Sequence, residues 1–508
     1  MPKGIQRLLN RMGGGIRRFS LLRARINGYM RPRYSPARLA GLTAAVCGAL
    51  TVLMLFVPNY LGMGNDSIAN EKMGHYRLSY LEEDLASGEA ASNAYFTRVY
   101  ALTSLDRGTE FSLQNALVNV AKAIDWAFTR DRLFDIRFLA LLYMLLYLPG
   151  VYLTVRAALE CVRNFSEAVL LSALGALIFS DISYIAYFNS LYPDALFYIL
   201  LLYMAGSAML LRREGPRQSL YILLLGISSA GFCLVARRGV LGGIIAAFFL
   251  LAHLRRIPER RAKALSIAAV CLVLAASMVS AFRVNAEFDD TGKYHAMTRG
   301  VLLQSRNPVK ALEDMGISAS YSVLADDSLY EYYPATQLAN PLLSDAFLSA
   351  YSTTDIARFY AAHPGALLSM WDLGVKAAVN LRRDYCGNYE RSTGMPPMGK
   401  SILCAAWSIF KAQSAPKTIG YLLALALIAF LLSGKRPFAR RWDFTYLLTC
   451  ACLLAIALAD LTYVILHSGD AQLVQYNIVP GAAMDILLYF VAAQTLRKLN
   501  LLEDKDGN

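Results

Sequence analysis

Among the residues of this chain that could do chemistry, one acid comes first. Asp66 stands in Gly64-Asn65-Asp66-Ser67, a few residues past an uncharged apolar stretch at 39–57. A carboxylate so placed can take the proton of an attacking hydroxyl. Gly62 and Gly64 allow close backbone approach, and Asn65 and Ser67 can orient the acid. The same residues also fit a helix N-cap, with Asp66 or Ser67 opening a helix and Glu71 in its early turns. Asn65-Asp66-Ser67 has the form of a glycosylation sequon, but it lies too close to the apolar stretch to serve as one. Second is Arg237-Arg238. Guanidiniums suit bidentate capture of phosphate; snorkelling to lipid headgroups or pairing with a loop acid are the alternatives. Third is the aromatic, polar segment from Asp181 to Asp194, with Tyr184, Tyr187, Asn189 and Tyr192. Aromatic faces suit sugars, and an acid such as Asp181 at membrane depth is a functional candidate by default, although an interfacial aromatic belt also fits. Fourth are Tyr294-His295, Asp326-Asp327, His363-Pro364 and the run from Arg382 to Glu390, which includes Asn388 and Tyr389. No His/Cys spacing has the form of a metal site, so no metal ligand is assigned, and no Gly-rich phosphate loop is present.

These residues need a frame, and composition supplies it. The chain has 508 residues, 56% hydrophobic and 17% charged, with mean hydropathy +0.39. Soluble domains carry about 25% charged residues, so an integral membrane protein is expected. The net charge of +13 does not point to nucleic acid, because its distribution follows the apolar pattern. The first 38 residues hold ten Lys or Arg and no acid, and further basic clusters fall at 212–217, 255–263 and 435–441, each between apolar spans. That is the positive-inside pattern, and a basic arm can also lie on anionic lipid.

Apolar spans fall at 39–57, 137–155, 166–186, 195–211, 219–236, 239–254, 264–283, 418–433, 443–466 and 477–495. The architecture expected is an all-α polytopic membrane protein with about ten transmembrane helices, within a range of about 8–12. Residues 219–236 and 239–254, which meet at Arg237-Arg238, are the least distinct pair. With the basic N-terminal arm (1–38) in the cytoplasm, the first span leads into an outer loop (58–135). A bundle follows (136–283), then a large outer region (284–417), three C-terminal spans (418–495) and a cytoplasmic tail (496–508). Arg237-Arg238 then falls outside, against the charge rule. In the first loop, Leu113, Leu117, Val120, Ile124 and Phe128 recur at helical spacing and predict an amphipathic surface helix. Residues 68–85 and 94–105 are weaker helical candidates. In the second region, 308–315 and 354–363 look helical and 394–399 is a loop. Cys386 and Cys404 share that region, and their pairing is left open. No cytoplasmic segment is long enough for a soluble catalytic domain. An enzyme of this plan would work on the outer face, where a lipid-linked donor is the natural supply.

This plan resembles the GT-C superfamily, polytopic glycosyltransferases that use polyprenyl-phosphate sugars. Gly64-Asn65-Asp66-Ser67, Phe188-Asn189-Ser190-Leu191-Tyr192, Tyr294-His295-Ala296 with Gly300-Val301-Leu302, His363-Pro364-Gly365 and Gly387-Asn388-Tyr389-Glu390-Arg391-Ser392 are similar to phrases in bacterial hexose transferases of cell-surface or S-layer glycan synthesis. The resemblance implies Asp66 as the base for the acceptor, and Arg237 and Arg238 on the donor phosphate. It also implies a bacterial cell membrane, with both termini cytoplasmic and the site extracytoplasmic. The partners expected are the bilayer, a polyprenyl-phosphate sugar donor and a glycan or glycolipid acceptor. Asn65, Asp181, Tyr187, Asn189, His295, His363, Asn388, Tyr389 and Glu390 are candidate contacts to acceptor or sugar. Many members carry a second acid beside the first; here that position is Asn65, which makes a metal there less expected. No cofactor is assigned. The competing readings are a lipid-linked glycan flippase or transporter, which calls for more ionisable groups within the spans than Asp460 and Asp485, and a polysaccharide ligase or polymerase led by Arg and His of the large outer region.

Overall fold

The computed structural model describes residues 27–28, 35–86, 94–103, 111–162, 164–212, 215–283, 290–329, 346–434 and 443–506. Most of the basic arm and the basic cluster at 435–441 lie outside the described residues. The principal helices are α1 (Pro36–Leu55), α2 (Ser67–His75), α3 (Leu113–Thr129), α4 (Arg137–Leu159), α5 (Phe165–Phe179), α6 (Asp194–Leu210), α7 (Gln218–Val235), α8 (Gly239–His253), α9 (Arg260–Arg283), α10 (Thr353–Ala362), α11 (Pro364–Val379), α12 (Ala406–Ser414), α13 (Ile419–Ser433), α14 (Phe444–Ser468) and α15 (Ile478–Asp506). Five short strands accompany them: β1 (Leu61–Met63), β2 (Leu78–Ser79), β3 (Val99–Leu102), β4 (Leu133–Asp135) and β5 (Cys386–Tyr389).

The fold is that of an all-α polytopic membrane protein. Among the described residues, seven helices are long and apolar enough to cross a bilayer: α1, α4, α7, α8 with its extension to Arg256, α9, α14 and α15. Two bent pairs raise the number to nine: α5 turns by 43° into Ile182–Asn189, and α12 meets α13 at 104°. The shorter apolar α6 matches the remaining segment expected from the sequence. The two least distinct segments are separate helices, α7 and α8. At their junction a Cβ on Gly239 would stand 2.0 Å from the Phe232 carbonyl oxygen, so only glycine permits so close a return.

The loops contain strand as well as helix. Residues 94–105, expected to be helical, instead contribute β3, the middle strand of an antiparallel sheet β2-β3-β4. Val99 and Tyr100 suit a pleated surface, and the ladder to both neighbours satisfies backbone groups that an isolated short helix would leave open. The α3 helix forms where its periodicity placed it, opened by the Ser112 hydroxyl accepting from Asn115 N at 3.1 Å. Its orientation is the reverse of a soluble amphipathic helix. Gln114, Asn115 and Asp125 are buried, while Trp126 is 60% and Phe128 79% exposed. The inward polar face is held by specific bonds: Lys122 Nζ donates to Tyr76 O at 2.8 Å, and Asp125 Oδ2 accepts from Asp135 N at 2.7 Å.

Two hydrophobic cores result. The larger unites α1 and α4–α9 with α15 and the first loop; the second joins residues 294–379 to Leu461, Val464 and Ile465 of α14. In that second region, Pro308–Asp314 and α10 are helical as expected, and α11 follows directly after His363.

Candidate active site

The position of Asp66 is set by strand pairing between segments more than 300 residues apart. β1 and β5 run antiparallel, with Leu61 opposite Tyr389, Gly62 opposite Asn388 and Met63 opposite Cys386. The ladder continues through Gly64 N to Tyr385 O at 2.9 Å and Glu390 N to Tyr60 O at 3.2 Å. Gly62 is needed here, because a Cβ would meet the Phe96 ring at 2.5 Å. The pairing delivers the Tyr385 hydroxyl to Asp66 Oδ2, to which it donates at 2.7 Å. Asp66 Oδ1 accepts from Ala69 N at 3.0 Å and caps α2, while Asp66 N donates to the Tyr192 hydroxyl at 3.1 Å. The cap and the site therefore share one residue. A carboxylate offers about four lone-pair positions; two are used, and Asp66 remains 7% exposed. Burial, with the Asp66 carboxylate adding to it and Arg383 opposing, pushes the Tyr385 phenol above its ordinary value, so it keeps its proton and donates.

Beyond these tyrosines lies Arg383. It is 2% exposed, and its guanidinium carbon sits 5.3 Å from the Tyr187 ring, 5.4 Å from Tyr192 and 6.0 Å from Tyr385. Its Nε donates to Val474 O at 3.1 Å, while Nη1 and Nη2 are buried and find no hydrogen-bond acceptor among the described residues. The Tyr385 phenol lies near enough to feel the charge. Burial works against the Arg383 charge, but Tyr187, Tyr385, Asp194 and Tyr192 outweigh it and raise its pKa. A buried cation is costly unless something answers it. Here ring faces do so in part, and the terminal nitrogens keep their hydrogen-bonding capacity. The sequence contains a signal for this residue, the doublet Arg382-Arg383 two positions before Tyr385. The candidate run from Arg382 to Glu390 contains it, but nothing in the spacing separates Arg383 from the other charges of that run.

Arg238, expected on the donor phosphate, is placed differently. It is buried in the bundle, with Nη2 2.7 Å from Asp194 Oδ1 and Nη1 3.5 Å from Asp460 Oδ2. The Phe197 and Tyr476 rings lie 4.4 and 4.8 Å from its guanidinium carbon. Two carboxylates already answer its charge, so the exception to the charge rule has an internal reason, and a donor phosphate there would meet two acids. Arg237 is half-buried in the α7–α8 turn.

The other candidates divide between the two cores. Asn65 fastens the Asp66 loop to the sheet, its Nδ2 donating to the Tyr80 and Tyr100 hydroxyls at 3.0 Å each. Asn189 Nδ2 donates to Leu61 O at 2.8 Å and Leu55 O at 3.3 Å, tying the end of α1 to β1. Tyr187 is in the Arg383 cage, with its hydroxyl buried and unbonded. Asp181 joins the two bent spans: Oδ1 accepts from Ser183 N and Oδ2 from Ser408 N, both at 2.9 Å. Asn388 Nδ2 donates to Ala94 O at 3.3 Å, Tyr389 is half-buried, and Glu390 pairs with Arg98 at 2.7 Å. These three act in the β5 ladder and its flank. His295 and His363 belong to the other region. His295 Nε2 accepts from Leu329 N at 3.0 Å; His363 Nδ1 meets Phe359 O at 2.9 Å and its ring stacks on Phe359. Cys386 and Cys404 are unbonded to each other and both hold Ile182, through its O at 3.7 Å and its N at 2.9 Å respectively.

Comparison with known proteins adds the following. No curated protein matches the chain. Among solved structures, the archaeal oligosaccharyltransferase AglB from Archaeoglobus fulgidus, in complex with an inhibitory peptide and a dolichol-phosphate, aligns over 93% of this chain at 14% identity and TM-score 0.39. The alignment spans 51% of the AglB chain, about half its length. The family described as the YfdI N-terminal transmembrane domain matches residues 31–508. The family description, a transmembrane domain, agrees with the membrane-spanning helices of the fold. Spanning nearly the whole chain, that match makes this protein a member of the YfdI N-terminal transmembrane domain family.

Proposed function

We propose that the protein is a membrane glycosyltransferase that moves a sugar from a polyprenyl-phosphate donor to a hydroxyl of a surface glycan or glycolipid. The site faces outward from a bacterial cell membrane, and both termini lie in the cytoplasm. The observation that carries the proposal is the joining of Asp66 to Arg383 through Tyr385 and Tyr192. Asp66 takes the proton of the acceptor hydroxyl as its oxygen attacks the anomeric carbon. The bond from that carbon to the phosphate oxygen breaks, and its electron pair leaves on the phosphate. Arg383, with two unbonded terminal nitrogens, offers bidentate donation to that anion as its charge grows. Tyr385 orients Asp66, and the ring faces of Tyr187 and Tyr192 shield the guanidinium from water. Attack opposite the leaving phosphate inverts the anomeric centre.

The transport reading would line a path with Asp460 and Asp485. Asp460 lies 3.5 Å from Arg238, and Asp485 lies 2.6 Å from Lys411 while accepting from Tyr184 and Trp407 at 2.7 Å each. Acids so engaged suit helix joints better than a path.

The test is Asp66→Asn, with retention of fold checked by size-exclusion profile in detergent. Transfer of labelled sugar from polyprenyl phosphate is expected to fall by about 10²- to 10⁴-fold. Undiminished transfer by a folded variant would overturn the assignment.

A further inference from the structure

A second polar site lies at the other end of the bundle. Asp66 follows the C-terminal end of α1. Near the opposite end, Asn27 Oδ1 accepts from Ser166 N at 3.0 Å, just beyond the end of α4. There a cavity of about 330 Å³ opens between the ends of α4, α6 and α15. That volume falls within the ~300–1,000 Å³ typical of small-molecule pockets. Ala157, Val162 and Met209 form its apolar wall; Glu160, Arg212 and Arg497 form its polar one.

Among the described residues, the charges at the cavity do not balance. Glu160 is matched by Arg156 at 3.1 Å. Asp443 is shared: Arg212 pairs with it and Arg497 approaches it at 3.5 Å, while Lys498 Nζ donates to the Gly434 carbonyl. Asp443 is also engaged as the cap of α14, accepting from Tyr446 N at 3.3 Å. Two cations that line the cavity therefore share one acid; among the described residues, Arg212 Nη1 otherwise meets only the Cys161 Sγ at 3.2 Å, and Arg497 Nη1 the Gln494 Oε1 at 3.5 Å. An anion entering it would complete the set, with Arg212 and Arg497 as its donors.

We infer that this cavity binds the phosphate of an anionic phospholipid headgroup. The lipid source follows from the setting: the cavity sits at the ends of membrane helices, and its apolar wall suits the glycerol and first methylenes of a lipid. Basic pockets between transmembrane helices recognise headgroups in this way. The site is separate from Asp66 and does not depend on the transfer reaction.

Native mass spectrometry of the detergent-purified chain with added phosphatidylglycerol or phosphatidylcholine tests this. Wild type should retain one phosphatidylglycerol in preference to phosphatidylcholine. The R212Q/R497Q variant should retain about 10- to 30-fold less. Ala157→Leu, which fills the cavity and leaves every charge in place, should also lose the lipid, and it carries the test if the double variant does not fold. Equal retention by wild type and Ala157→Leu, or equal retention of the two lipids by wild type, would overturn the inference. Complete displacement by millimolar inorganic phosphate would overturn the lipid assignment in favour of a free-phosphate site.

Discussion

Arg238 and Arg383 are both buried, and they approach the same short segment. Arg238 lies against the ring of Tyr476, and Arg383 donates to the carbonyl of Val474. Their surroundings differ in kind. Arg238 sits between Asp194 and Asp460 and so joins the start of α6, the α7–α8 turn and α14. Arg383 is ringed by Tyr187, Tyr192 and Tyr385, with two nitrogens that no acceptor among the described residues engages. A guanidinium between carboxylates has its field cancelled nearby and works as a joint. One among ring faces keeps much of its field and can receive an anion. In the sequence, Arg237-Arg238 and Arg382-Arg383 have the same appearance; their neighbours in space make Arg238 and Arg383 different devices.

The comparison can be broken in order of effect. Arg238→Met leaves two buried acids unanswered and should destabilise the fold by about 3–5 kcal/mol, read as thermal unfolding in detergent. Adding Asp194→Asn and Asp460→Asn should recover much of that loss; no recovery would mean that Arg238 acts by packing instead. Arg383→Gln should reverse the pattern, lowering transfer by about 10²- to 10³-fold while the melting temperature holds. A fall in stability with intact transfer would make Arg383 a second joint. Tyr385→Phe keeps the ring but removes the bond to the Asp66 carboxylate, worth about 1.5–3 kcal/mol, so transfer should drop by roughly one to two orders of magnitude. Tyr192→Phe removes only a hydroxyl that meets backbone groups; about 0.5–1.5 kcal/mol of stability should go, with a smaller effect on transfer. Equal losses from the two phenylalanine variants would remove the special place given to Tyr385.

Much of this molecule is legible in its sequence. Long uncharged runs such as 39–57 can satisfy their backbone within a bilayer only as helices, so composition alone places them. The α3 periodicity is equally readable, and its exposed apolar residues Trp126 and Phe128 are on the side that a membrane-surface helix turns to lipid. The β strands escaped notice because each is two to four residues long and exists through its partner. Pairing of the Arg237-Arg238 doublet with an acid is one of the readings the sequence allows, but the partners of Arg238 are not readable, because Asp194 and Asp460 are 44 and 222 positions away.

By itself, then, the sequence determined the membrane architecture and the place of Asp66 just past the first span. These depend on local composition and on the cost of burying bare polar backbone. Tertiary structure decided which arginine stands beside the tyrosines that hold Asp66. That choice rests on the β1–β5 ladder, which joins Leu61 to Tyr389 and so carries Tyr385 to the acid, with Arg383 beside them. Hydrogen bonds and ion pairs act over a few ångströms of space, whatever the distance along the chain, and only folding brings those few ångströms about.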